Sequence, residues 1–595
     1  MATFDWLWRK LRGRSDPLSV AVGASASSLT GTHENDAMRA FVDRGVAHIA
    51  QQQYQHAENC IAALERMNAP ARADYLRACA ALAQGRESDA VALFESALSK
   101  DPSDSASYAE AGMLVLRRDD VAEAEYLLSQ AVHFEPGNTR ARIALGQLLA
   151  SQKRLDAALQ QIAAAVSVQP DDVDLRQQLI NIYWERGELP AVAAAYEEAL
   201  QIAPDNFDLH LRLANCWREM GELAAARRHI VRALELRPGH RTATLSYAQV
   251  LVLSGDLGAA LSRVQAVLSE HPDDALVHWT MALILLKEGR FAEAWPHHEI
   301  GLPQRLQNNR YGASGKPWRG ESLADKRVLI YGEQGLGDEI MFASCIPDVL
   351  RHASSCVIEC APKLEKLFAL SFPSALIHAG QARENRDWLE RFGPIDYEIP
   401  SGTLPSTFRR TLADFPREPY LRIPQEARDK WRRRLAALGP GLNVGISWRG
   451  GTKTTGIYAR SIPLEHWQPI LTSPGVNFIN LQYNDCAAEV QAAMQSTGAT
   501  ITTWQDALDE YAETAALVAA LDLVITVCTS IVFVASGLGR PVWVMAPPGA
   551  SWRYVRGQSH TPWAPTAEIF WRQGASWDDV ISDVADRLAR RLHQS

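Results

Sequence analysis

Between residues 37 and 308 the apolar positions recur at helical spacing, and small residues fall on a fixed grid. Ala97, Ala131, Ala165, Ala199 and Ala233 are 34 residues apart. Ala90, Ala124, Ala158, Ala226, Ala260 and Ala294 keep the same grid, with Val192 in the gap. Gly187, Gly221, Gly255 and Gly289 repeat at this step, as do Pro102, Pro136, Pro170, Pro204, Pro238 and Pro272. Small residues let two helices approach, glycine opens the turn between them, and proline stops the second helix. The period predicts about eight helix–turn–helix repeats over 37–308, the first degenerate. Gly312, Gly315 and Pro317 mark a linker. After 326 the pattern changes. Short apolar runs at 327–331, 356–360, 396–399, 443–448, 477–482, 499–503, 523–527 and 542–546 read as strands. Segments 338–352, 363–371, 425–438, 486–496, 511–521, 530–538 and 577–593 read as helices.

This alternation predicts parallel sheets covered by helices. The two groups of strands separate near Gly439-Pro440-Gly441, which predicts two Rossmann-like lobes with a cleft between them. The expected organisation is therefore 1–36 as an N-terminal segment and linker, 37–308 as an α superhelix, 309–440 as the first lobe and 441–595 as the second.

Composition narrows the class. Of 595 residues, 47% are hydrophobic and 22% charged, as in a soluble multidomain protein. The net charge of -9 offers no global basic field for nucleic acid. No apolar run reaches the length of a membrane span, and no signal-peptide core precedes the RKLRGR stretch. The eight cysteines form no CxxC pair, so a reduced, cytoplasmic compartment is expected, without a zinc site or disulfide framework. Phe4, Leu7, Trp8 and Leu11 share one helical face, with Arg9, Lys10, Arg12 and Arg14 beside them. This segment, residues 1–14, suits a weak peripheral contact with an anionic membrane at the inner membrane, or docking on the next domain. Ser15 to Asn35 reads as a flexible linker.

The 34-residue grid resembles the tetratricopeptide (TPR) repeat. Such helix pairs stack into a superhelix with a concave groove. The position after the small residue of each first helix is Gln147, Asn181, Asn215 and Gln249. A carboxamide both donates and accepts, which suits an extended peptide backbone. These four resemble the asparagine ladder of the TPR region of O-GlcNAc transferase; the alternative is four solvated polar residues. Met113 and Leu283 at the flanking positions limit the ladder to four rungs.

In the second half, PWRG (317–320), GEQGLGDEIMFASCIPDVL (332–350), GISWRGG (445–451), RSIPLEHW (460–467), NLQY (480–483), TVCTSIVFVASGLGRPVWVMAP (526–547) and SWRYV (551–555) stand out. Together they resemble the C-terminal domain of bacterial TPR-linked glycosyltransferases, a heptosyltransferase-like domain of the GT-B class. Some members of this group act on flagellin. The resemblance implies a nucleotide-sugar donor, inversion at the anomeric carbon, no obligatory metal and no cofactor beyond the donor. The groove would then hold an acceptor protein, flagellin foremost. A TPR scaffold with a nucleotide-sugar-binding relic, or a transferase acting on a glycan or lipid-linked sugar, are the alternatives.

Transfer to a hydroxyl needs a base, positive charge or amides for the leaving phosphate, and a pocket that orients the sugar. Asp338 is the base candidate; the matching acid of the family's Gly-Asp motif is the proposed base. Asp338 also suits capping of the helix it starts, and the two roles are compatible. Glu333, Gln334, Gly335 and Gly337 form the cleft loop, with Glu333 and Glu339 as reserve acids. The glycines do not follow GxGxxG spacing, so a dinucleotide fingerprint is not indicated. Arg449, Lys453 and Arg460 follow a second-lobe strand and are candidates for the donor phosphates. Gln482 and Tyr483 are candidates to frame the nucleotide base. Thr529 and Ser530 precede a helix and suit an anion site or a simple cap. Heptosyltransferases commonly carry Asp where this chain has Cys528, and His where it has Phe533, which implies a different donor or a dead site; the resemblance to the TPR-linked group favours the first. Cys528 is then a small pocket residue. Trp448 and Trp552 are expected to line the cleft. No Asp-x-Asp motif occurs in 317–595, so no metal-bridged diphosphate is suggested.

Overall fold

The computed structural model describes residues 30–305, 315–380, 387–451, 460–483, 485–574 and 576–593. The amphipathic segment 1–14 and Lys453 lie outside them. Among the described residues the repeat region forms eight helix pairs, from Thr30–Ala50 with Tyr54–Arg66 to Ala275–Lys287 with Phe291–Ile300. The N-terminal half is thus a TPR superhelix, and the grid explains its packing. Ala97, Ala131, Ala165, Ala199 and Ala233 are all 0% exposed, as are Ala90, Ala124, Ala158, Val192, Ala226, Ala260 and Ala294. Any larger side chain there would hold the paired helices apart.

Two further periodic devices make the turns. Asp104, Asn138, Asp172, Asn206, His240 and Asp274, again 34 residues apart, cap the first helix of their pairs by accepting a backbone N–H. Each lies two residues after a grid proline. The turn inside the pair is left-handed at Gln52, Gly85, Asp119, Lys153, Gly187, Gly221, Gly255 and Gly289, so three repeats run without the glycine the turn favours.

The chain divides into two compact units, Met1–Pro204 and Asp205–Ser595. The division falls inside the repeat array, so the last repeats belong with the α/β region. In that second unit two repeat helices matter below, α1 (Arg241–Ser254) and α2 (Ala275–Lys287).

The α/β region contains two sheets, each wholly parallel. The first comprises β1 (Lys316–Pro317), β2 (Arg327–Tyr331), β3 (Ser355–Cys360), β4 (Leu376–Ala379) and β5 (Tyr397–Pro400), in the order β1-β5-β2-β3-β4. The second comprises β6 (Leu442–Ser447), β7 (Val476–Asn480), β8 (Ile501–Thr502), β9 (Leu523–Val527), β10 (Val542–Ala546) and β11 (Ala567–Trp571), in the order β11-β10-β9-β6-β7-β8. β9 and β10 are buried along their whole length, as strands covered on both faces must be. Three strands escaped the sequence reading. β1 has only two residues, β4 is a partly exposed edge, and β11 is an edge strand with Glu568 and Trp571 half-buried. The segment read as one helix over 338–352 is two, α3 (Leu336–Phe342) and Ile346–His352, joined by a 3₁₀ turn. Pro347, in the first turn of the second, has no N–H to continue the first. One more helix, α4 (Ile531–Gly537), follows β9.

Candidate functional site

In an open parallel sheet, a crevice forms where consecutive connections leave in opposite directions. The first sheet reverses between β2 and β5, and the second between β6 and β9. The loops at these points are Gly332–Gly335 after β2, Ser401–Thr403 after β5, Trp448–Gly451 after β6 and Cys528–Ser530 after β9. The two crevices meet. A Cβ placed on Gly337 would stand 3.5 Å from Cβ of Ser530. The start of α3 therefore abuts the start of α4.

Asp338 is the third residue of α3. Its Oδ2 accepts the Gly335 N–H at 3.4 Å, so it does cap the helix. Its Oδ1 forms an ion pair with the Arg553 guanidinium. The two side chains are 14% and 17% exposed. Arg553 donates from its other terminal nitrogen to Ser551 Oγ at 3.0 Å and lies 5.3 Å from the Trp552 ring centre. Burial draws its pKa down to about 10. Arg553 lies in the SWRYV motif, but the sequence offered no signal that it pairs with Asp338, 215 residues away. Gln334 and Gly335 are exposed at the tip of the loop, and Glu333 and Gly337 are half-buried beside it.

Glu339 turns the other way. Its carboxylate accepts the Ala361 N–H at 2.9 Å and fills the space over Gly332, where a Cβ would lie 2.4 Å from its Cδ. Burial, with Glu359 nearby, raises its pKa to about 7. It ties β2 to the end of β3 and does not face the cleft.

On the second lobe Arg449 and Arg460 are engaged by neighbouring elements. Arg449 pairs with Glu489 at 3.0 Å and donates to the Asp485 carbonyl at 2.9 Å. Arg460 donates to the Cys528 carbonyl. Gln482 is 1% exposed, and its Oε1 accepts from Ser447 Oγ, Trp448 N and Arg449 N at 3.2, 3.1 and 2.8 Å. It shapes the loop after β6 and cannot frame a base. Tyr483, 41% exposed, does stand at the lip of a cavity of about 1040 Å³. Asn480, Asp485, Thr503, Asp509 and Lys363 also line it. This cavity opens at the ends of β7 and β8 and is at the upper end of the range for small-molecule pockets.

Cys528 is 2% exposed, and burial raises its thiol to about 11, which removes it as a nucleophile. Phe533 is buried in the core beside it in the chain. Thr529 shares a hydrogen bond with Thr526 at 3.2 Å, and Ser530 Oγ accepts from Tyr511 at 3.0 Å. Trp448, expected at the cleft, is instead 0% exposed in the second-lobe core, with its indole N–H on Glu489 at 2.5 Å. Trp552 packs between Phe342 of α3 and Trp563, under Arg553.

The segment carrying Arg553 is gripped by the repeats. Lys287, the last residue of α2, is 1% exposed and donates to the Ala550 carbonyl at 2.6 Å. Burial lowers its pKa to about 8. The Lys287 carbonyl accepts the Arg556 N–H at 3.2 Å. The left-handed Gly255, which ends α1, leaves room for the Arg556 guanidinium, 2.4 Å from where a Cβ would be.

Of the carboxamide ladder, Gln147 and Asn181 lie exposed in the first unit, and Asn215 and Gln249 half-buried in the second. Gln147 donates to Gln178 at 2.9 Å, and Gln177 to Asn181 at 3.0 Å. Among the described residues no group of acids, histidines and cysteines has the arrangement of a metal site, and no helix is long and apolar enough to cross a membrane.

Fold and site thus describe a repeat protein whose last repeats are built onto a parallel-sheet α/β region. Models of the tetratricopeptide repeat match residues 42–105, 115–182, 183–245 and 218–282. The chain therefore carries TPR repeats in its N-terminal region, and it is similar to FlbA of Caulobacter vibrioides, at 33% identity over 336 residues. That match covers 53% of this chain and 55% of FlbA, so the chain spans about half the length of the relative. Solved structures similar to it include YrrB, described as a TPR protein with an unusual peptide-binding site, at 20% identity. YrrB aligns over 30% of this chain and 93% of its own, with a TM-score of 0.27. Pseudomonas aeruginosa pilF aligns over 36% and 96%, at 16% identity and a TM-score of 0.29.

Proposed function

We propose that this chain is a protein O-glycosyltransferase, which moves a sugar from a nucleotide donor to Ser or Thr of an acceptor protein, flagellin foremost. The observation that carries this reading is Asp338, a carboxylate held where the crevices of two parallel sheets meet. In the step, an Asp338 oxygen takes the proton of the acceptor hydroxyl. The hydroxyl oxygen attacks the anomeric carbon, and the bond from that carbon to the phosphate breaks with its electron pair on phosphate. The cavity at β7 and β8 suits the nucleoside, because Asp485 and Asp509 can accept from ribose hydroxyls and Tyr483 can stack on a base. Arg460, held on the Cys528 carbonyl beside the second crevice, supplies positive charge for the leaving phosphate. A nonulosonic acid carried by CMP, or a hexose carried by UDP or dTDP, both suit this scheme. The TPR groove selects the acceptor.

Intact-mass measurement of the acceptor, made with and without this protein, tests the reading. A sugar-sized gain is expected with the wild type. Asp338→Ala should lower the rate by about 10²–10⁴-fold, the range of a lost general base. Equal transfer by that variant would remove Asp338 from the chemistry. The buried Cys528 and Phe533, where heptosyltransferases place polar residues, favour the rival scaffold reading, under which no acceptor gains mass.

A further inference from the structure

We propose that Arg553 alternates between Asp338 and the phosphate of the sugar nucleotide, so that the base is released only when donor is bound; this rests on the transferase reading above. The ion pair poses a problem for that reading. A guanidinium on a carboxylate favours its ionised form and makes it a weak proton acceptor. Both side chains are largely withdrawn from water, so the pairing is stronger than a surface contact. Asp338 can act as base only if Arg553 finds another anion.

The surroundings of Arg553 supply that exchange. It belongs to the second lobe, on the segment after β10, whereas Asp338 belongs to the first. The pair therefore bridges the cleft that a donor must enter. Guanidinium matches phosphate with two parallel N–H bonds, so a phosphate there competes directly with the carboxylate. The backbone around Arg553 is anchored by Lys287 on Ala550 and by the Arg556 N–H on Lys287. Exchange then requires only side-chain rotation above the Trp552 ring. Asp338 keeps the Gly335 N–H and stays in place. In the transfer step Arg553 remains protonated and balances the charge that develops on the leaving phosphate. The acceptor proton passes to Asp338. Donor must bind before the base can act.

Calorimetric titration of the full chain with inorganic pyrophosphate, and separately with CMP, tests this without turnover. The proteins are wild type, Asp338→Asn, Arg553→Gln and the double variant, each checked by circular dichroism. Arg553→Gln should weaken whichever probe binds by about tenfold or more. Asp338→Asn should tighten it by about tenfold in the wild-type background, because Arg553 loses its competing partner, and by less than about twofold in the Arg553→Gln background. If Arg553→Gln does not fold, Arg553→Lys replaces it, with a weakening between those of wild type and full loss. Equal effects of Asp338→Asn in both backgrounds would mean general electrostatics and overturn the exchange. So would a wild type that binds neither probe. If the coupling is found and no acceptor ever gains mass, the transferase reading falls and the exchange stands. If transfer occurs without the coupling, the exchange falls alone.

Discussion

At the scale of single residues, adjacent acids in one motif meet different fates. Asp338 and Glu339 share the first turn of α3, one at the cleft on Arg553 and the other buried on the Ala361 N–H. Helix geometry turns successive side chains by about 100°, so neighbours cannot share an environment. Glu339 gives a prediction with a definite sign. Its folded pKa, about 7, lies above the unfolded value near 4.5. Its contribution is fully present below pH 4.5 and is lost as pH rises through 7. Glu339→Gln should match wild type in urea unfolding at pH 5 and exceed it at pH 8, by at most about 3 kcal/mol. A gap independent of pH would show that the carboxyl is not neutral in the fold. The place of Asp338 at the start of a helix was legible from its Gly-Asp motif. Its partner was not, because the two meet only through packing of two lobes.

At the scale of the helix pair, the repeat was legible almost completely. Burial of the small-residue grid, the turns and the stops all follow from local spacing. The turn position also shows where three repeats are suboptimal, at Gln52, Asp119 and Lys153. Lys153 holds a left-handed backbone at φ 62°, which costs a residue with a Cβ about 1 kcal/mol. Lys153→Gly should therefore raise the stability of its unit, by no more than about 1 kcal/mol after the entropy of glycine. Asn206→Ala removes the cap on the Leu209 N–H and should cost about 1 kcal/mol. Thermal denaturation of the two variants checks both, and a loss at Lys153→Gly would deny that the turn is strained. The short strands were less legible. β1 has two residues, too few to show a periodicity, and β4 has four on a partly exposed edge.

At the scale of the whole molecule, the repeats and the compact units do not share a boundary. Helices of the last repeats lie in one hydrophobic cluster with both sheets, through Phe291, Trp295, Phe415 and Trp563. The Trp295 indole donates to the Arg409 carbonyl at 2.7 Å, and Gly549 lies against Leu253. A fragment beginning at residue 205 should unfold cooperatively, whereas one beginning at 309 should aggregate, with apolar surface uncovered. Tryptophan fluorescence in urea, with light scattering, distinguishes them. A cooperative 309–595 fragment would show that the last repeats are dispensable. The acceptor groove makes a separate prediction. Asn181→Ala with Asn215→Ala should abolish acceptor capture in a pull-down while binding of nucleotide persists. Unchanged capture would remove the carboxamide ladder from recognition.

The amino-acid sequence by itself determined the repeat, its period, the parallel α/β half and the loop that holds Asp338. These depend on side chains close along the chain, where helix spacing, strand runs and turn residues act locally. Tertiary structure alone decided that Arg553 holds Asp338 and that Gln482 and Trp448 are interior. It also decided that Lys287 reaches from a repeat into the loop after β10. Those contacts join residues distant in sequence, and they form because burial of apolar surface brings elements together wherever their faces fit.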